Sequence, residues 1–588
     1  MVTMKDILYR ITPIDLAAHL FAIEIHLTQP DPRGQIISLP AWIPGSYMIR
    51  DFARQIQNLN VKQEKKDLYI EKLDSHSWQI QPCDKPIVVS YQVYAWDLSV
   101  RTAHLDETHG FYNGTSVFLQ IHGQEDKPCL VDIVPPKKHH DWGVYTSLPE
   151  AKDIKGAAQR HGFGLYIAPN YDALIDHPVE MGTPTVISFK ACGATHEMVF
   201  TGNIPNIDLE RIARDTQKIC EYQIKFFEPE THAAPFLDSS DRYVFMTMVT
   251  GKDYGGLEHR ASTALVASRA DMPVIGDESI SEGYRQFLGL ISHEYFHTWN
   301  VKRIKPKAFA PYDLYDPCHT SLLWIFEGFT SYYDDLSLLR SGVIQQESYL
   351  ELLSKTITAV HNTPGRFKQS VTQSSFDAWT KYYKQDENAV NSIISYYSKG
   401  SLIALGLDLL IQKESAGKSS LDDVMRELWN TYGRDFYCKK PQLGLEEFEV
   451  VELIKRATGV DTKEFIDLYV KGTQDVPLAE LLPVNAWQLQ EEQSHKAELN
   501  IKTRTSEGQC QIAQVIEQGA AHLGGLSAGD IFIAIDHIKV DSQNLNALLS
   551  RYRVGDKIKV HVFRRDEMRK FKVKLNASET KYKVSPIE

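Results

Sequence analysis

The rhythm of hydrophobic and polar residues changes twice along this chain. From the start to about residue 172 the two alternate in short runs such as "HLFAIEIHLTQ", "PIVVSYQVYAW" and "TSVFLQIHG", punctuated by Pro, Gly, Asn and Asp. Alternation of period two between turn residues predicts antiparallel strands, so residues 1–172 are read as an N-terminal sandwich-like β domain. The period then lengthens. In "IDLERIARDTQKICEYQIKFFE" the positions Leu209, Ile212, Ala213, Ile219, Cys220, Ile224 and Phe227 recur at helical intervals, with Asp208 placed to cap the first turn. A β-rich run, "DRYVFMTMV", leads into "TGKDYGGLEHR". Helices are then expected from about residue 280, including "LLWIFEGFTSYYDDLSLLRSG", "KGSLIALGLDLLIQKESAGK" and "DDVMRELWNTYG". Beyond about residue 480 short strands return around "HLGGLSAGD", with one helical stretch, "SQNLNALLSRYRVG". The domains expected are 1–172, a mainly helical 173–480 with a β subdomain, and a small α+β module over 481–588.

Composition narrows the class. A chain of 588 residues is too long for one core. With 43% hydrophobic and 24% charged residues and no apolar run of membrane-spanning length, a membrane protein is not expected. The net charge of -12 comes without a basic block, so no nucleic-acid partner is expected. Asp6, Arg10 and Asp15 interrupt the apolar residues of the N-terminus, which therefore does not read as a secretory leader, and a cytoplasmic location is expected. The seven cysteines are scattered and never form a C-x-x-C pair, which argues against a disulfide framework and against a thiolate metal site.

The chemistry concentrates in "ISHEYFHTWNVKRIKP", residues 291 to 306. Residues four apart share one face of a helix, so His293 and His297 can hold one ion between their imidazoles, with Glu294 beside it. Phe287, Leu290, Ile291 and Phe296 make this a packed helix, expected to run until Pro306 stops it. A catalytic zinc needs a third protein ligand. Glu327, set among apolar and aromatic residues in "LLWIFEGFTSYYDD", is the candidate, since a buried carboxylate without a cation is costly. "SIISYYSKG" offers Tyr396 and Tyr397 as donors to an oxyanion. In "DYGGLEHR", Gly255 and Gly256 permit close approach of a ligand to a strand edge, and Glu258 offers a carboxylate to a free α-amino group.

Taken together, "HEYFH", "WIFEGFTSYY", "GGLEH", "YSKG" and the N-terminal "WIPGSYMIRDF" resemble the glycyl aminopeptidase family, gluzincin zinc metallopeptidases with a C-terminal PDZ domain. The resemblance covers nearly the whole chain. It implies a thermolysin-like catalytic domain and one Zn2+ per chain on His293, His297 and Glu327. It further implies Glu294 as general base, Tyr397 rather than Tyr396 as oxyanion donor, and Glu258 as anchor of the substrate amine. The implied substrates are peptides with a free N-terminus, preferably Gly or Ala. "AAHLGGLSAGDIFIAID" is similar to the central signature of PDZ domains, which implies peptide C-termini as partners there, although the segment "KAELNIKT" lacks the usual glycine-rich carboxylate loop. Ser331 stands where some gluzincins carry an orienting aspartate, leaving Asp334 and Asn300 as candidate partners of the histidines. The rival readings are a zinc endopeptidase and a PDZ-bearing adaptor with a degenerate metal domain.

Overall fold

The computed structural model describes residues 7–587. The first six residues, part of the stretch read above against a leader, lie outside the described residues. The chain separates into two compact units, one comprising the residues up to Cys318 together with Tyr333–Ile344 and Leu428–Leu445, the other comprising His319–Tyr332, Gln345–Glu427 and the residues from Glu446 onward.

The first unit begins with the β domain. Its strand Ile7–Asp15 buries Ile7, Tyr9 and Ile11 on one face, and its neighbour Leu20–Leu27 buries Phe21, Ile23, Ile25 and Leu27. Each fully buried apolar side chain of this kind is worth about 1.5–3 kcal/mol. These strands belong to a seven-stranded sheet accompanied by two four-stranded sheets. The pairing is antiparallel apart from Ile7–Asp15, which runs parallel to Cys129–Ile133. That one parallel pair is the departure from the antiparallel expectation, and a local alternation pattern carries no information about which way a distant partner runs.

The same core continues without a break into a five-stranded sheet. Val199, Val244, Met246, Leu257, Ala264 and Val266 pack with the side chains of the β domain. In this sheet the edge strand Gly255–Glu258 pairs on one side only, with Ser262–Ser268. Two helices of the unit follow the sequence pattern. Leu209–Phe227 is capped by the carboxylate of Asp208, which accepts from Arg211 N at 3.0 Å. Glu282–Phe296 carries the histidine motif.

The second unit is helical, then β. Helix Ser398–Glu414 buries Leu402, Ile403, Leu405, Leu407 and Leu409. Glu327 separates two helices, Leu323–Phe326 and Gly328–Arg340, where the sequence pattern reads as one. Glycine explains how these segments meet. A Cβ on Gly328 would stand 2.7 Å from Gly400 Cα, and one on Gly400 would stand 2.8 Å from Gly328 Cα. Backbone therefore touches backbone, which brings Glu327 and Tyr397 onto adjoining turns. The C-terminal PDZ-like module has its own core, including Leu499, Ile512, Phe532, Ile535, Val560 and Val573. It is tied to helix Gln346–His361 by Thr358 Oγ1, which accepts from Tyr582 N at 2.9 Å, and by Ser354 Oγ, which accepts from Val584 N at 2.9 Å.

None of the seven cysteines is in a disulfide, and five are buried. Among the described residues no helix is long and apolar enough to cross a membrane. Gly400→Ala is expected to destabilise the protein by about 1–3 kcal/mol through overpacking, read as a lower denaturation midpoint. An unchanged midpoint would contradict the close contact.

Candidate active site

Ser281 opens the histidine helix by accepting from Tyr284 N at 3.0 Å, and Tyr284, Phe287, Leu288, Ile291 and Tyr295 bury its inner face. The helix ends at Phe296, ten residues before Pro306. The stop is made by the turn itself: Val301 takes φ 106° and donates its N–H to Ile304 O at 2.9 Å, while Arg303 Nη1 donates to Thr298 O at 2.8 Å. A β-branched residue at positive φ is strained, and such strain is held in place only by surrounding structure. Trp299 supplies part of it, stacked on Phe227 with ring centroids 4.9 Å apart.

That turn gives His297 its partner. The imidazole Nδ1 of His297 donates to the carbonyl of Asn300 at 2.8 Å, and Nδ1 of His293 donates to Asp334 Oδ2 at 2.8 Å. Burial pushes the carboxyls of both Asp334 and Asp335 upward; the His293 hydrogen bond counters this at Asp334, whereas the charge of Asp334 raises Asp335 further. With both Nδ1 atoms acting as donors, the Nε2 lone pairs of His293 and His297 point at each other across 3.0 Å. Facing lone pairs call for a cation between them. Nitrogens bound at about 2.0–2.1 Å in a tetrahedral zinc site lie roughly 3.3 Å apart, so the pair fits that ion, and each histidine already has the outer acceptor that fixes such ligands.

Two carboxylates stand beside the histidines. Glu258, Glu294 and His297 offer ligand atoms all within 4.8 Å of one another, and all three residues are buried. A Cβ on Gly256 would lie 2.1 Å from Glu294 Oε1, so only glycine fits under this carboxylate. Glu258 is backed by the N-terminal domain: a Cβ on Gly45, which has φ 93°, would lie 2.6 Å from Glu258 Oε2. Its other oxygen, Oε1, is buried and meets no donor among the described residues. An ionised carboxylate so placed is expensive unless a cation arrives.

Asp176 ties the two halves of this arrangement together. It accepts from His259 Nδ1 at 3.0 Å, Arg260 Nε at 3.0 Å and Lys302 Nζ at 2.9 Å. Burial alone would raise its pKa, but Lys302, His259 and Arg260 outweigh burial and hold the carboxyl well below the usual range. The residues after Glu258 and those after His297 are thus fastened to one anion.

The second unit carries Glu327 and the tyrosines. Glu327 is buried, 2% exposed, and its charge raises the phenols of Tyr382 and Tyr396, on top of the larger effect of burial. Tyr396 is fully buried, whereas Tyr397 is half-buried at the start of helix Ser398–Glu414 and has its hydroxyl 3.5 Å from that of Tyr383. The lysine of "YSKG" is structural: Lys399 donates to Thr473 O at 3.2 Å and lies 3.8 Å from Asp475.

Sequence reasoning named His293, Glu294, His297 and Glu258, and the first unit brings them together with Gly255 and Gly256 on the strand beside them. It named Asp334 and Asn300 as candidate partners; the second acts through its backbone carbonyl, not its side chain. Gly45 and Asp176 went unrecognised. For Gly45 the signal was the Pro-Gly pair within "WIPGSY"; Asp176 had none.

Family models match at three places: the peptidase M61 N-terminal domain over residues 8–183, the M61 glycyl aminopeptidase over 286–403 and a PDZ domain over 497–575. A crystal structure of an aminopeptidase N family protein from Idiomarina loihiensis is 40% identical, covers 99% of this chain and 98% of its own, and superposes with a TM-score of 0.93. The chain belongs to the M61 glycyl aminopeptidase family. It is accordingly a metallopeptidase, a hydrolase acting on peptide bonds. A mutant M1 zinc metallopeptidase from Deinococcus radiodurans, bound to a Tyr-ser-ala substrate, is 12% identical with a TM-score of 0.48, covering 80% of this chain and 94% of its own. Among curated proteins none matches.

Asp334→Ala is expected to weaken metal retention by about 10–100-fold through loss of the acceptor behind His293. Chelator competition measures it, and wild-type retention would contradict the assignment.

Proposed function

We propose that this member of the M61 glycyl aminopeptidase family is a zinc aminopeptidase that removes small N-terminal residues, Gly or Ala, from peptides. The observation that carries the reading is the buried Glu258 carboxylate, with one oxygen unpartnered, beside Glu294 and His297. Endopeptidase chemistry has no use for a lone buried anion at that place, whereas the α-ammonium of a peptide neutralises it and sets the cut one residue in.

His293, His297 and Glu327 are the proposed ligands. Support for Glu327 comes from its burial, which makes an uncompensated carboxylate costly. A zinc ion held there would polarise the scissile carbonyl and make a water molecule a nucleophile at neutral pH. Glu294 takes the proton of the attacking water and returns it to the leaving amine. Its carboxylate is fixed for this by the absence of a side chain at Gly256. Tyr397 donates a hydrogen bond to the developing oxyanion. Its half-exposed position, against the full burial of Tyr396, favours it for that role. Glu258 holds the amine and orients the substrate along the Gly255–Glu258 edge. The preference for Gly or Ala follows the family. For the PDZ-like module the structure supports a packing role through Thr358 and Ser354.

Glu294→Gln is expected to retain about one zinc per chain and to lose turnover by several orders of magnitude on glycyl substrates. Metal analysis alongside steady-state kinetics measures both, and a variant with wild-type turnover would remove Glu294 as the base. Glu258→Ala is expected to raise KM for free peptides strongly. N-terminal acetylation of the substrate should abolish cleavage by the wild type; equal cleavage of acetylated and free peptides would instead identify an endopeptidase.

A further inference from the structure

A second cluster of metal-ligating side chains takes no part in the reaction proposed above. Strand Ala103–Leu105 pairs antiparallel with His109–Tyr112, Leu105 opposite Gly110 and His104 opposite Phe111. Asp106 opens the turn between them. Its Oδ1 accepts from Thr108 N and Thr108 Oγ1, each at 2.6 Å, and from His109 N at 3.2 Å, which leaves Oδ2 for His104 Nε2 at 3.1 Å. His104 is stacked on Trp96 and on His109, with ring centroids 5.0 Å and 4.9 Å away, and its Nδ1 is buried without a partner among the described residues. His109 in turn donates from Nδ1 to Glu180 Oε1 at 3.0 Å, which leaves its Nε2 as the ligand nitrogen.

The geometry suits one ion. His104, Asp106 and His109 each offer a ligand atom, all within 4.8 Å of one another. Ligands held at about 2.0–2.2 Å in a tetrahedral zinc site lie roughly 3.4 Å apart, close to the 3.1 Å between His104 Nε2 and Asp106 Oδ2. The ring centroids of His104 and His109 stand 4.9 Å apart, against 4.6 Å for His293 and His297. Charge points the same way. His104, His109 and Glu180 are buried and Asp106 is half-buried, and among the described residues neither carboxylate is paired with a lysine or an arginine. Two carboxylates so placed beside neutral imidazoles carry charge that no fixed cation offsets. An ion also has a way in, because all three residues line a cavity of about 740 Å³ together with Trp96, Thr108 and Thr201.

We infer that His104, Asp106 and His109 bind a second divalent ion, of the chemistry of zinc, and that this ion clamps the N-terminal domain to the sheet that bears Glu258. Imidazole and carboxylate ligands suit zinc, and water from the cavity completes its coordination. The clamp runs through Glu180, whose Oε1 also accepts from Thr201 Oγ1 at 2.9 Å; Thr201 ends strand Ala194–Thr201 of that sheet. When the ion binds, the proton that His104 Nε2 donates to Asp106 leaves to solvent.

The test dialyses the full-length protein against excess Zn2+, since the proton on His104 competes with this ion, and then measures bound metal in wild type, Asp106→Asn and His104→Phe. Asn keeps an oxygen for the turn and Phe keeps a ring on Trp96; unchanged peptidase activity reports that each variant is folded. Wild type is expected to take up about one zinc per chain more than either variant, and its thermal midpoint to rise on adding Zn2+ by more than theirs. Equal zinc uptake by wild type and a folded variant would overturn the site and leave a hydrogen-bonded histidine–aspartate pair only. A midpoint that Zn2+ raises no further in wild type than in a folded variant would overturn the clamp.

Discussion

Everything at the centre of this molecule depends on two protons that are already committed. His293 donates its Nδ1 proton to Asp334 and His297 donates its own to the carbonyl of Asn300, so in the neutral imidazoles the remaining nitrogens face each other as lone pairs. That arrangement suits a cation between the rings, and the protein maintains it with a buried carboxyl pair on one side and a strained turn at Val301 on the other. Stability and function pull against each other here, as is usual where ionisable groups are fixed for chemistry.

A second constraint is the way the chain uses missing side chains. Gly256 makes room for the carboxylate of Glu294, Gly45 for that of Glu258, and Gly328 and Gly400 let two backbones meet. At each position a methyl group would displace either a buried carboxylate or the segment that carries one. The arrangement is therefore set by close approach as much as by polar contacts.

Much of this was legible in the sequence, for local reasons. The histidine pair could be read because spacing on a helix is a property of consecutive residues, and Glu327 because apolar neighbours announce its burial. Asp208 was legible as a cap in the same way. What escaped was long-range. "TWNVKRIKP" keeps a helical pattern of apolar residues, yet the helix stops at Phe296 because Arg303 and Ile304 draw the chain into a turn that no periodicity encodes. The parallel pairing of Ile7–Asp15 with Cys129–Ile133, the seat of Glu258 on Gly45 and the three donors gathered on Asp176 all join positions far apart in the chain. Local patterns specify elements; they do not say which of them will touch.

The outer acceptor of His293 also bears on how the protein comes into being. Asp334 lies forty-one residues beyond the histidine it orients. A ribosome that has released the histidine helix into solution has still to release the residue that fixes its first imidazole. Gly45, by contrast, belongs to a domain that can fold early, as N-terminal domains do during synthesis. The wall behind Glu258 can thus form while the partner that orients His293 is still to be made.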